Sequence, residues 1–395
     1  MTSSQKDLIN LLKKSMFGNE LENSEINWKL VYNEALLQAV LAFVYDSTND
    51  IENIPEDVYR GLKQYTISVM LKNEQVFQGQ QTLVELLEKN NVDYAVLKGL
   101  TVAINYTKPE LRTLGDVDFL VRKEEFQSVK KLLVENGYTL LRDEGTHFHC
   151  SLKKQDVLFE MHLEMSEFPN TPFGRDLREF LDNALDEFEE YEYQGEKFKG
   201  LSLKYQMFSL LLHMERHILK DGLGLRQLLD FGFFVDKHPE IMSDDKYVSL
   251  LKKYGLYKMA TVCVDLMNKY FLDKETENPT ADMLIEMSLK RGNFGVKTSH
   301  DESLSNRIIG DKSGANRITV IRWFNYFKFK SRYSWKLATK YPWISNFGFI
   351  YLPIRYFCRR VTGNKKAVDL GVVINTSKKA NELFNDLELF NFDNV

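Results

Sequence analysis

Cysteine is scarce. Only three stand in 395 residues, at Cys150, Cys263 and Cys358, far apart, odd in number and with no C-x-x-C pair. A disulfide framework is not expected, and a reducing, cytoplasmic setting is. Long apolar runs are scarce too. In the carboxy-terminal part the longest uncharged stretch, Tyr341 to Ile354, is fourteen residues, short of the roughly 20 that a spanning helix needs. The opening MTSSQKDLINLLKKSMFGNE mixes both signs of charge among its apolar positions, without an h-region or a small-residue cleavage site, so a signal peptide is not expected. Internal repeats and low-complexity tracts are absent.

What is present suits a folded, soluble protein. Hydrophobic residues make up 44% and charged residues 27% of the chain, enough apolar material for a sizeable core. The length suggests two or three domains. The net charge of -4 hides an asymmetry: residues 317–366 hold twelve Lys or Arg, no Asp or Glu, and fourteen aromatics. This segment admits three readings. It could grip nucleic acid by phosphate contact and stacking, lie peripherally on an anionic inner membrane surface, or form a helical layer with an aromatic core and a solvated basic rim. The density of aromatics favours the helical layer, and nucleic acid is the least favoured.

Residues 1–90 read as a helical region. SEINWKLVYNEALLQAVLAFVYDS begins at Ser24, an expected N-cap, and a longer apolar periodicity follows from Pro55. The pattern then shifts. VDYAVLKG is a short strand ending in Gly99, followed by about a dozen residues suited to one short helix that Pro109 should stop. GDVDFLVR is a second strand, KEEFQSVKKLLVENG an amphipathic helix closed by Gly137, and YTLL a short β-prone run. HFHCSLKK and VLFEMHLE, separated by Gln155 and Asp156, have the spacing of a hairpin. Residues 91–165 thus form an α+β (mixed α/β) unit with a small mixed sheet. Residues 166–300 are a second helical region, and residues 301–395 a linker with the basic aromatic segment.

The chemistry lies in LRTLGDVDFLV. Residues two apart on a strand share a face, so Asp116 and Asp118 point the same way while Val117 and Phe119 face the core. Burying carboxylates costs free energy unless a partner or a metal compensates them. Glu160, on a strand that could pack beside DVDFL, would supply a third acid, and His162 shares its face. Three acids from adjacent strands are a hard-oxygen ligand set for Mg²⁺ or Mn²⁺ with substrate phosphates. Gly99, at a strand-to-helix turn, would let backbone amides approach a phosphate, with Lys98 beside it.

This layout resembles the DNA polymerase β-like nucleotidyltransferase superfamily. Within it, VLKG, Arg112 ahead of GDVDFLV, FEMHLE, LLHMERH and GLGLRQLLD resemble a bacterial family of uncharacterised nucleotidyltransferases. The resemblance implies a minimal nucleotidyltransferase sheet flanked by amino- and carboxy-terminal helical regions. It also implies attack by an acceptor on the α-phosphate of a nucleoside triphosphate such as ATP, with release of pyrophosphate. Asp116, Asp118 and Glu160 would be catalytic and metal-binding; Lys98, Gly99 and Arg112 would bind nucleotide; His162, His213, Arg226 and Asp230 would be substrate or supporting residues. The acceptor could be a sugar, a sugar phosphate, a protein or RNA. Two departures are visible: Leu100 follows Gly99 where the superfamily usually has Gly or Ser, and the seventeen-residue gap from Gly99 to Asp116 is longer than in many members.

Simpler readings stand beside these. Arg112 could form a salt bridge with one of the aspartates. Arg226 and Asp230 are i and i+4, the spacing of an intrahelical ion pair. His213 and His217 could merely share the helix face turned to the sheet, and His147, His149 and Cys150 lack the paired spacing of a zinc site. A catalytically silent module that docks through residues 317–366 is the alternative to an enzyme.

Overall fold

Helical periodicity over the first ninety residues becomes α1 (Ser3–Phe17), α2 (Trp28–Leu37), α3 (Leu41–Asp46) and α4 (Glu56–Lys89). Thr2 caps α1 by accepting from the Gln5 amide at 3.3 Å, while the Gln5 side chain accepts from the Thr2 amide at 3.0 Å, a reciprocal capping box. In this computed structural model the described residues are 1–21, 25–142, 149–166, 172–219, 222–298, 324, 327–328, 331, 335–361 and 382–388. The expected cap Ser24 and the histidine His147 lie outside them. Asn27 caps α2, accepting from the Leu30 amide at 3.3 Å.

The long helix α4 organises the core because its apolar face changes neighbours along its length. Its first half buries Val58, Leu62 and Val69 among helices. Its second half lays Val76, Phe77, Leu83, Val84 and Leu87 on the sheet. Gly79 sits at that contact, where an added Cβ would come within 3.1 Å of the Val157 methyls.

The strands are β1 (Tyr94–Leu97), β2 (Val117–Val121), β3 (Thr139–Arg142), β4 (His149–Lys154), β5 (Val157–His162), β6 (Phe188–Tyr193) and β7 (Glu196–Leu201). Among the described residues they form one seven-stranded sheet in the order β3-β4-β5-β2-β1-β7-β6. The β2–β5 and β1–β7 pairs are parallel and the others antiparallel. This is the expected mixed sheet, α+β in class. The β6–β7 hairpin extends it beyond sequence expectation.

One helix in the sheet unit also differs from expectation. Beyond Gly99, α5 (Leu100–Ala103) is a single turn, much shorter than the dozen residues available, because Asn105 to Lys108 turn away before Pro109. As expected, α6 (Phe126–Glu135) is followed by Gly137, at φ +85°.

Both faces of the sheet are covered. Val117, Phe119 and Val121 face one cluster with α4 and α6, while Leu120 and Leu201 face a larger cluster. That cluster joins α1 to α3 with α7 (Pro172–Asp182), α8 (Leu203–Leu219), α9 (Leu225–Lys237), α10 (Glu240–Ser243), α11 (Asp245–Lys253), α12 (Tyr257–Tyr270) and α13 (Pro279–Arg291). Phe17 stacks on Phe233 at 5.5 Å, so helices from both ends of this region share one interior.

Only part of the basic aromatic segment is described. It includes α14 (Lys336–Lys340) and α15 (Gly348–Val361). The expected aromatic core is not what the described residues present: Trp343, Phe347 and Phe349 are exposed. Trp335 and Tyr351 do stack, at 3.9 Å between ring centres.

Candidate active site

The parallel pairing of β2 with β5 sets Asp118 directly across from Glu160, and Leu120 across from His162. Opposed residues on neighbouring strands share a face. His162 Nε2 lies 2.9 Å from Asp118 Oδ1 and 3.6 Å from Glu160 Oε2. Lys98 Nζ reaches the same Asp118 oxygen at 3.2 Å. Buried Asp118 is therefore compensated by an ammonium and an imidazole. Burial pushes its carboxyl up, but Lys98 and His162 together hold it well below the usual carboxylate range.

Asp116 stands just before β2 and is only partly buried. Burial first, then the charges of Asp118 and Glu160, push its carboxyl up to about 6 against the opposing pull of Lys98. The two aspartates have separated in character: one is held ionised and the other shares its proton near neutrality.

The turn that delivers Lys98 is strained. Lys98 has φ +44° and Gly99 has φ +55° with ψ -115°. Glycine alone adopts the second conformation readily, and a lysine with positive φ is uncommon. Arg112 holds the turn from beneath, donating from NH1 to the Gly99 carbonyl at 3.3 Å. Because α5 is one turn long, backbone geometry at Gly99 rather than a helix dipole shapes this approach.

Arg112 does not pair with Asp116 or Asp118. It is buried and bound to Asp230 on α9, with Nε–Oδ1 at 2.7 Å and NH2–Oδ2 at 2.8 Å. Tyr106 donates to Asp230 Oδ1 at 2.7 Å. The i, i+4 pairing of Arg226 with Asp230 is thus replaced by a long-range one. Arg226 instead donates from NH1 to the Thr113 carbonyl at 3.1 Å and lies 5.2 Å from the Phe294 ring centre. Its Nε is buried with no hydrogen-bond partner.

Asn73 of α4 completes the support. Its amide donates to the carbonyls of Glu110 at 2.8 Å and Arg112 at 2.9 Å, and accepts from the Leu114 amide at 2.9 Å. One side chain thus satisfies three backbone groups of the loop leading to Asp116. His213 and His217 on α8 are edge to face at 4.5 Å. Burial, then the charges of Lys98, His217 and Arg226, push the His213 imidazole well below its ordinary range. His213 is accordingly neutral at neutral pH, beside Lys98 and Arg226. His149 stacks on His162 at 5.3 Å.

The donors fit a divalent cation. One ligand atom from each of Asp118, Glu160 and His162 lies within 4.8 Å of the others. Two carboxylates with an imidazole suit Mn²⁺ as well as Mg²⁺. His162, expected as a supporting residue, joins this set directly, while Asp116 lies beside it.

A family profile described as "uncharacterised nucleotidyltransferase" matches residues 24–272. The chain belongs to that family. The matched span holds every site residue discussed above except Phe294. A solved structure, that of an antigenic nucleotidyltransferase-like protein from Paracoccidioides brasiliensis, is similar at 15% identity. The match covers 45% of this chain and 90% of that one, with a TM-score of 0.24. No curated protein matches the chain.

Three features escaped sequence reasoning. Asn73 looks like any polar residue on a helix, and Tyr106 lies in an irregular segment. The β6–β7 hairpin did carry a signal: Gln194 and Gly195, both at positive φ, are a two-residue turn between β-prone runs.

Proposed function

We propose that the chain is a metal-dependent nucleotidyltransferase, moving a nucleoside monophosphate from a triphosphate such as ATP to an acceptor with release of pyrophosphate. The acceptor would be a sugar, a sugar phosphate, a protein or RNA. The observation that carries the reading is the placement of Asp118 across from Glu160, with His162 and Lys98 converging on the same carboxylate. Buried charge of this density has a functional rationale and is costly as pure scaffold.

In this reading Asp118, Glu160 and His162 hold Mg²⁺ or Mn²⁺, with Asp116 beside them. The ion, when bound, supplies Lewis-acid stabilisation of the phosphoryl oxygens and lowers the pKa of a bound hydroxyl. The acceptor oxygen bonds to the α-phosphorus, and the bond from that phosphorus to the bridging oxygen breaks, its electron pair leaving with pyrophosphate. Asp116, pushed up to about 6, is basic enough to take the acceptor proton at neutral pH. Lys98 turns from Asp118 toward phosphate when the carboxylate gains another counter-charge, and Gly99 admits phosphate close to the backbone. Arg112 and Asp230 position that turn. Arg226, whose Nε has no partner, is the arginine placed to meet an anionic group, with neutral His213 nearby. The buried free thiol of Cys263 supports a reducing, cytoplasmic setting.

The test is thermal stability against ATP, GTP, CTP and UTP, each with and without Mg²⁺. A ligand selective for the folded state adds about 2.7 kcal/mol at a hundredfold excess over its dissociation constant. A midpoint shift requiring both metal and one triphosphate, and absent in the D116N/D118N variant, supports the reading. No shift with any triphosphate removes it.

A further inference from the structure

The carboxy-terminal part combines two properties that soluble surfaces normally keep apart. The first is apolar exposure. Trp343 is 66% exposed, Ile354 57% and Leu337 53%, with Phe347, Phe349 and Ile350 also exposed. On α15, Phe349, Ile350 and Ile354 fall within one arc of the helix at about 100° per residue. The opposite side of α15 packs inward, with Tyr351 stacked on Trp335 at 3.9 Å. The outward stripe therefore belongs to an ordered helix with one face already engaged. The 3₁₀ turn Pro342–Phe347 adds Trp343 and Phe347 beside it.

The second property is charge of one sign. The fifty residues 317–366 contain twelve Lys or Arg and no acidic residue, although the whole chain is net negative at -4. An exposed apolar and aromatic face on a segment whose charges are all positive is complementary to an anionic lipid surface, where the side chains enter the acyl boundary and the bases meet phosphate headgroups. Trp, Phe and Tyr favour that boundary. Ile350, Ile354 and Leu337 separate this occupant from nucleic acid, since aliphatic side chains offer bases no stacking platform. Among the described residues no helix is long and apolar enough to cross a membrane, so the contact is peripheral.

We infer that residues 335–361 form a docking surface for anionic membrane, holding the nucleotidyltransferase core at a bilayer. The inference rests on this segment alone and stands independently of the proposed reaction.

Flotation of the full chain with phosphatidylglycerol vesicles and with phosphatidylcholine vesicles tests it. The expected result is flotation with phosphatidylglycerol only, lost at high salt. The W343S/I350S/I354S variant removes exposed side chains and should keep the thermal midpoint while losing flotation. The K336E/K340E variant should weaken vesicle affinity about tenfold or more. Equal flotation of wild type and both variants, or no flotation of wild type, overturns the inference. So does a wild-type dimer that the triple serine variant converts to monomer without any lipid binding, or retention of wild type by RNA but not by vesicles.

Discussion

Arg112 and Asp230, 118 residues apart in the chain, meet in a two-pronged buried ion pair at 2.7 and 2.8 Å. This pair joins α9 to the loop that carries Asp116, and through the Gly99 carbonyl it also holds the Lys98 turn. Removing one partner would leave an uncompensated buried charge, at a cost of about 3–5 kcal/mol. Asp230→Ala should therefore lower the urea unfolding midpoint by that equivalent, with Arg112→Met similar. The double variant R112M/D230L should recover much of the stability but not the activity. A single variant as stable as wild type would show that the pair does not organise this loop.

Asn73 makes a quieter contribution of the same kind. Its three contacts satisfy backbone groups that its loss would strand in the interior, at about 1–3 kcal/mol for each group left unsatisfied. Asn73→Ala should be destabilised by at least one such increment and lose turnover, although α4 contributes no charged group to the site. Asn73→Asp keeps the acceptor for Leu114 but loses both donors, so it should not rescue. Wild-type turnover in Asn73→Ala would remove the positioning role.

The acids were legible because strand alternation is a strict rule. Glu160 and His162 share a face by alternation alone, and the register that sets Asp118 across from Glu160 adds Asp118 to it. Asn73 was illegible because its partners lie 37 to 41 residues away and helix periodicity says nothing about loops that cross it. Arg226 and Asp230 were misread for a different reason. Helical spacing offers an i, i+4 pair only tenths of a kcal/mol, whereas Asp230, buried on α9, meets a guanidinium that could not otherwise remain there. The β6–β7 hairpin was hidden by Glu189, Glu190 and Glu192, charges that suit an exposed edge strand. In the basic segment aromatic density suggested a core, but density does not determine which face turns inward.

Asp116 gives a pH signature. Its folded-state pKa, pushed up to about 6 from 3.8, means that the folded protein holds a proton which the unfolded chain releases earlier. The stability contributed by this group is therefore present below about 3.8 and lost as pH rises through 6. In metal-free buffer, Asp116→Asn should be more stable than wild type near neutral pH, and the two should converge near pH 4. Asp118 has the opposite sign, its stabilisation being lost only on strong acidification. Parallel stability curves for wild type and Asp116→Asn from acid to neutral pH would contradict the assignment.

Arg226 should separate from Arg112 kinetically. Arg112→Met acts through folding and positioning, so thermal stability and kcat should fall together. Arg226→Met leaves the Arg112–Asp230 pair in place and should raise the KM for an anionic substrate about tenfold or more, since a charged hydrogen bond contributes about 1.5–3 kcal/mol. Unchanged KM for both donor and acceptor would leave Arg226 as a tether for Thr113 only.

Gly99 provides the sharpest separation between sterics and conformation. An added Cβ would meet nothing closer than 4.0 Å, so Gly99→Ala creates no clash. Its backbone, at φ +55° and ψ -115°, is nevertheless outside the regions an L-residue adopts readily, and such positions cost about 1–3 kcal/mol. The relief available is rotation of the 98–99 turn, which would carry Lys98 away from Asp118. Gly99→Ala should therefore lose modest stability but a disproportionate share of triphosphate binding, measured as the metal-dependent thermal shift. Lys98→Gly relaxes the other positive φ but removes the ammonium that compensates buried Asp118, so it should lose stability in metal-free buffer and be deficient in the same shift. If Gly99→Ala instead bound triphosphate as wild type does, the strained turn would be a folding feature and not part of the phosphate grip.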